Sequence, residues 1–400
     1  MYQSSENSVV ENDFYGRDNN QGQLIFPFEI MSPETQRIPF VYSSPHSGKL
    51  YPPEFIKTSR LELKSLRGSE DCYVDELFSA APNVGAPLIK AIFPRVFIDA
   101  NREPYEFDPS MFFEPLPDFA TTSSNKISAG LGTIAKVVAD GEKIYSEKLH
   151  LSDALNRVNN YYLPYHNSLE KLITITKENF GCCTLIDCHS MPSNKIGNGG
   201  RNNKSPADIV LGDNHGRSAN KVLVNEIMGF FVSQGLSVKI NDPYPGGYTT
   251  SNYGKPQTGV QAIQIEINRA LYMDEKSMKR NEGFLARQMT LDYLHLFRFI
   301  LPALVRFKIP LPLGGSSNHF KVNVLREIYG WDSWNVTEDA DIGIRMAFRG
   351  YTTAMIDPPT IESPTRDFLD FVKQRTRWQK GHFQTLLVLL RKPLKLIKKV

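Results

Sequence analysis

Cys183-Thr184-Leu185-Ile186-Asp187-Cys188-His189-Ser190 decides how this chain folds. The apolar start reads as a buried strand, and the polar residues after it set His189 at the strand's carboxyl end, where open α/β sheets build their sites. A second string repeats the arrangement early in the chain. The apolar run Pro39-Phe40-Val41-Tyr42 leads into Ser44-Pro45-His46-Ser47-Gly48, where Pro45 and Gly48 force a turn around the imidazole. Two histidines delivered in the same way to one sheet edge point to a shared ion.

Around these strings the chain reads as α/β. From Ile38 to about Asn268 short apolar runs bounded by Pro, Gly and Ser alternate with longer helical stretches. Further strands are expected at 88–92, 96–99, 237–240 and 262–267. Helices are expected at 141–149, at 152–179 with a kink at Pro164, and at 218–234. The sheet should be mixed, with helices packed on it. Residues 1–37, poor in apolar clusters, read as a loosely ordered leader; 38–286 form the α/β domain, and the character changes again over 287–400.

Four hundred residues at 41% hydrophobic composition suffice for a packed core. No apolar run is long enough to cross a bilayer, and residues 1–20 lack the basic and apolar regions of a signal peptide, which makes the cytoplasm the expected location. The four cysteines have no zinc-ribbon or disulfide spacing and are expected to be reduced. The net charge of +3 conceals an asymmetry: 287–400 hold 18 Lys and Arg against 10 Asp and Glu. From Lys373 to Val400 there are nine basic residues and no acidic one, so that end is expected to touch phosphates or an anionic membrane surface. Nucleic acid is not an expected partner.

A hydrolytic zinc site needs about three protein ligands, an open position and a nearby carboxylate base. His46 and His189 supply two ligands, Glu70 or Asp71 a third, and Glu266, which alternates with Ile263, Ile265 and Ile267 on a strand, could be the base.

Together the strings resemble a known family. Ser44-Pro45-His46-Ser47-Gly48, Glu70-Asp71 before Val74-Asp75-Glu76-Leu77, Phe97-Ile98-Asp99-Ala100-Asn101-Arg102 and Pro164-Tyr165-His166 come first. Asp187-Cys188-His189-Ser190, Gly246-Gly247-Tyr248-Thr249-Thr250 with Tyr253-Gly254, and Gln264-Ile265-Glu266-Ile267-Asn268-Arg269 with Tyr272-Met273 follow in order. They are similar to the N-formylglutamate amidohydrolases. The resemblance implies the three-layer α/β/α mixed sheet of zinc carboxypeptidases and one Zn2+ per chain on His46, Asp71 and His189, Asp71 being preferred to Glu70. It also implies Glu266 as general base. Asn101, Arg102 and Arg201 become candidates for the carboxylates of an N-formyl or N-acyl amino acid, with specificity in the loops holding Arg201 and Tyr248. His166 is expected to pack within its helix.

The back segment resembles the second half of a processive family 2 glycosyltransferase. Pro312-Leu313-Gly314-Gly315-Ser316-Ser317-Asn318, Thr337-Glu338-Asp339-Ala340-Asp341 and Gln374-Arg375-Thr376-Arg377-Trp378 carry the likeness. It implies a base at Asp339, and sugar and diphosphate binding by Gln374, Arg377 and Trp378. The nucleotide-binding half of that family, with its Asp-x-Asp, has no counterpart before residue 287, so an incomplete α/β segment that transfers no sugar is expected, with apolar surface around Trp331 and Ile342 lacking cover. The alternatives to a zinc amidohydrolase are a membrane-peripheral glycosyltransferase fragment and a non-catalytic binding protein.

Overall fold

All nine residues of the strand Cys183–Met191 are buried, a pattern that requires cover on both faces of a sheet. The computed structural model, which describes residues 17–18, 24–193, 207–306, 309–315, 318–355 and 368–391, gives that strand a central place. The sheet strands are β1 (Phe28–Met31), β2 (Phe40–Ser44), β3 (Leu88–Ala91), β4 (Cys183–Met191), β5 (Ile209–Gly212), β6 (Val238–Ile240) and β7 (Val260–Asn268). They lie side by side in the order β1-β3-β2-β4-β7-β5-β6. Four of the pairings are parallel, whereas β1 on β3 and β5 on β7 are antiparallel. The sheet is thus mixed and mostly parallel, as the sequence implies.

Because β2 and β4 run parallel with Ser43 opposite Asp187, their carboxyl ends emerge at one edge, and β7 ends there too with Glu266 opposite His189. Helix α1 (Leu151–Arg157) leads into α2 (Leu163–Phe180). Leu169 and Ile173 of α2 join Val41, Ile89, Leu185 and Ala262 in the main core. The kink expected at Pro164 is a wide π-turn over Val158–Tyr162. Proline has no N–H for the preceding turn and its ring crowds that turn's carbonyl, so the helix opens just before it. Helix α3 spans Lys221–Ser233.

The structure departs from the sequence reading in several elements. Residues 96–99 form turns, not a strand. Val96, Phe97 and Ile98 are buried all the same, and burial was the whole of the signal. Residues 141–149 form no helix; Tyr145 and Leu149 instead make single bridges to Ser59 and Phe112, so pairing with distant backbone displaces the local helix. Strand β1 lies inside the segment read as a leader, and β5 was not anticipated.

Two compact units result, Met1–Met228 with Leu236–Lys279 and Gly229–Gly235 with Arg280–Val400. The second contains α4 (Gly283–His295), α5 (Glu338–Phe348) and α6 (Phe368–Leu390). Asp341 organises it: its Oδ2 receives Nε of Arg345 at 2.6 Å and its Oδ1 the Thr385 hydroxyl at 3.3 Å. Ile342, expected to lack cover, is fully buried in a small cluster with Val324, Ile328 and Met346, while Trp331 stays 48% exposed. No helix among the described residues is long and apolar enough to cross a membrane.

Candidate active site

His46 follows the end of β2 by two residues, in a turn, and Gly48 beyond it lets the chain pass close to Phe93, whose carbonyl a Cβ there would strike. His189 lies within β4. Asp71 comes from a loop far from both in sequence, docked by its own N–H on the carbonyl of His46 at 3.0 Å. Oδ2 of Asp71 stands 3.4 Å from Nδ1 of His46 and 3.0 Å from Nδ1 of His189. All three residues are almost fully buried, and their ligand-type atoms lie within 4.8 Å of one another, a set that could hold a metal ion.

The far sides of both rings are held by carboxylates. Nε2 of His46 donates to Oδ1 of Asp99 at 2.7 Å, and Nε2 of His189 stands 3.0 Å from Oδ2 of Asp187. With a proton on each Nε2, a neutral ring turns its Nδ1 lone pair toward the Asp71 oxygen. Two lone pairs and an anion facing each other in a buried space repel, so either a proton on His189 or a bound cation must stand among them. Nδ1 of His46 is a buried atom without a hydrogen-bond partner among the described residues. The donor set, two imidazoles and one carboxylate with carboxylates behind the rings, suits Zn2+. Against the cost of burial, the imidazoles hold Asp71 well below the usual carboxylate range; against that same cost, Asp187 and Asp71 raise the proton affinity of His189.

Glu70, the alternative ligand, is taken elsewhere. Its carboxylate accepts the Tyr51 hydroxyl at 2.7 Å and Nε of Arg67 at 3.2 Å. Glu266 shares a sheet face with His189, because parallel partners in register point the same way. Its Oε1 accepts Nε2 of Gln264 at 2.7 Å, and its buried Oε2 has no partner among the described residues. Burial first, then the charge of Asp71, pushes its carboxyl up to about 7, with His189, Arg95 and Arg269 pulling the other way.

Asn101 belongs to the same centre. Its Nδ2 lies 3.1 Å from Nε2 of His189 and 3.3 Å from Oδ2 of Asp187, while its Oδ1 accepts the N–H of Thr249 at 2.8 Å. Gly247 permits that approach, since a Cβ there would strike the Asn101 amide. Tyr248 starts the short helix Tyr248–Tyr253 and gives its N–H to the Asn101 carbonyl at 3.4 Å. Arg102 spends Nε on the Leu131 carbonyl and Nη1 on that of Asn101. Arg201 lies outside the described residues.

His166 does more than pack. Its Nε2 donates to the Ala100 carbonyl at 2.8 Å, and Tyr162, one turn earlier, gives its hydroxyl to the Arg102 carbonyl at 2.6 Å. One helix face thereby fixes the backbone on both sides of Asn101. The sequence reading gave no role to Asp99, Asp187, Arg95 or Arg269. Asp187 was available from the period of two, which puts it on the His189 face of β4. Arg95, whose Nη2 meets Oδ2 of Asp99 at 2.9 Å, offered no such signal.

In the second unit Asp339 is the second residue of α5, where its Oδ1 accepts the N–H of Ala340. Gln374, Arg377 and Trp378 lie on α6; Nη1 of Arg377 donates to the Val336 carbonyl at 3.0 Å, and the Arg375 guanidinium sits 4.9 Å over the Trp378 ring. Residues 392–400, the end of the basic tail expected at a membrane, lie outside the described residues, and nothing in the comparisons supports that contact.

Two family models match the chain. N-formylglutamate amidohydrolase covers residues 38–273, and glycosyl transferase family group 2 covers 255–399. An N-formylglutamate deformylase of Pseudomonas aeruginosa is 27% identical over 254 residues, 62% of this chain and 87% of that protein. The crystal structure of an N-formylglutamate amidohydrolase from Ralstonia eutropha JMP134 superposes with a TM-score of 0.64 at 37% identity, covering 68% of this chain and 96% of that one. A probable glycosyltransferase of Sulfolobus acidocaldarius is 29% identical over 102 residues, 26% of this chain and 22% of that protein.

Proposed function

Since the chain belongs to the N-formylglutamate amidohydrolase family, we propose that it hydrolyses the amide of N-formyl-L-glutamate, or of a related N-acyl amino acid, to the acid and the free amino acid, with one zinc ion on His46, Asp71 and His189. The observation that carries this reading is the placing of two buried histidine Nδ1 atoms within 3.4 Å of one buried carboxylate oxygen, a set that could hold a metal ion. Zinc bound there would polarise the formyl carbonyl and acidify a water.

The chain's own residues supply the rest. Glu266, with Oε2 free and a carboxyl raised to about 7, takes the proton of the attacking water and returns it to the departing amine. Asp99 keeps the His46 imidazole in the Nε2–H form, and Asp187 faces Nε2 of His189. Arg95, which gives Nη2 to Asp99 and whose charge reaches Asp71 and Glu266, would attract an anionic group of the substrate, and Asn101, Arg102, Arg201 and Tyr248 would complete the substrate contacts. For residues 287–400 we propose a glycosyltransferase-like segment without transfer activity, joined to the amidohydrolase domain of residues 38–286.

The test combines elemental analysis with a formate-release assay on N-formyl-L-glutamate, both on the full chain. About one zinc per chain is expected, and His46→Ala or His189→Ala should lose it. Full zinc retention by both variants would sink the assignment.

A further inference from the structure

Arg269 is a cation in an unusual place: its side chain is 8% exposed, yet the proposed reaction does not use it. It sits in the short turn after β7, three residues beyond Glu266. Nη2 donates to Oδ1 of Asp71 at 3.1 Å, Nε to the Ser190 hydroxyl at 3.1 Å, and Nη1 to the Gly68 carbonyl at 3.1 Å. Ser190 in turn gives its hydroxyl to the same Oδ1 at 3.2 Å. The two oxygens of Asp71 are therefore divided: Oδ1 receives two donors, and Oδ2 faces both histidines.

We propose that Arg269 is a positioning residue that makes Asp71 a one-oxygen ligand. A carboxylate left to itself can offer both oxygens to an ion, and the second would occupy the position that a hydrolytic site must leave open. The fork of a guanidinium suits this task because its planar donors reach Asp71, Ser190 and Gly68 at once, tying together the Asp71 loop and the ends of β4 and β7. Burying it is costly and is offset by the partner charge; what the pair gives in return is orientation.

This inference rests on the metal reading above, and the experiment separates the two. Zinc and cobalt(II) affinities are measured by competition with a chelator for the wild-type chain, Arg269→Lys, Arg269→Met and Ser190→Ala, with circular dichroism to establish folding. A role through charge alone predicts wild-type affinity for Arg269→Lys and tighter binding for Arg269→Met, because a nearby positive charge has been removed. Positioning predicts weaker binding in both, roughly ten- to a hundredfold, with a smaller loss in Ser190→Ala. The visible spectrum of the cobalt(II) form should weaken in Arg269→Lys as Asp71 supplies its second oxygen and the coordination number rises. Equal affinity and an unchanged spectrum in Arg269→Lys overturn the inference alone. A wild-type chain that binds no ion overturns the metal reading and this inference with it. Should Arg269→Met fail to fold, Arg269→Lys and Ser190→Ala decide.

Discussion

Acidification should cost the first unit the stability that rests on a neutral His166. The ring is 7% exposed and packed against Tyr162, with a centroid separation of 4.2 Å. Burial lowers its proton affinity from 6.5 to about 4, against the opposing pull of the Ala100 carbonyl and Asp187. Protonation would also reverse the bond at Nδ1, which lies 2.9 Å from the Tyr253 hydroxyl, turning that hydroxyl from donor to acceptor. A group whose folded pKa is depressed contributes stability that is complete above the unfolded value and is lost as pH falls toward the folded one. The window here is pH 6.5 down to about 4. At roughly 1.4 kcal/mol per pH unit, the loss over that window is about 3 kcal/mol.

The comparison is with His166→Gln, whose amide can still donate to Ala100 but does not titrate. All four cysteines lie in the first unit, and Cys72, Cys183 and Cys188 are buried. Urea titrations read by labelling with 4,4'-dithiodipyridine, which reacts at acid pH, therefore report that unit alone. Near pH 7.5 the wild type should be the more stable by about 1 to 2 kcal/mol, the worth of the lost Tyr253 contact and packing. On descent to pH 4 the gap should close and then reverse, as the wild type loses stability that the variant does not. A stability difference that stays constant from pH 7.5 to 4 would refute the reasoning.

Three further outcomes are expected. Glu266→Gln keeps size and shape but cannot accept a proton, so it should hold the ion while kcat falls on the order of a hundredfold or more; formyl-substrate hydrolysis at the normal rate would make Glu266 structural. Asp99→Asn, which no longer offers His46 a charged acceptor, should weaken zinc binding roughly ten- to a hundredfold in a chelator competition, and an unchanged affinity would remove Asp99 from the site. The full chain should release no nucleotide from sugar donors, and any acceptor-dependent turnover that Asp339→Asn abolishes would overturn the view of the second unit as inactive.

Local sequence was enough wherever the signal was itself local. Apolar runs at Phe40, Leu88, Leu185 and Ile263 located strands because a strand buried on both faces must be apolar throughout its length. The strand-end histidines followed from those strands, and the motif order carried the family. The same logic failed at residues 96–99, where apolar residues are buried in turns, and at 141–149, where single bridges to Ser59 and Phe112 override helical propensity.

Adjacent residues 70 and 71 mark the limit. In a strand or helix the period tells which of two neighbours points inward, but a loop has no period. Tyr51 and Arg67 claim Glu70, while His46, His189, Ser190 and Arg269, from three distant segments, surround Asp71. Local patterns in the chain sufficed for the α/β sheet, the two histidines at its edge and the strand glutamate beside them. The family resemblance preferred Asp71 to Glu70, but only the three-dimensional arrangement shows why, which of its oxygens faces the histidines, and which carboxylates stand behind the rings. Those choices depend on distances between segments up to 198 residues apart, and no local preference of the chain encodes such distances.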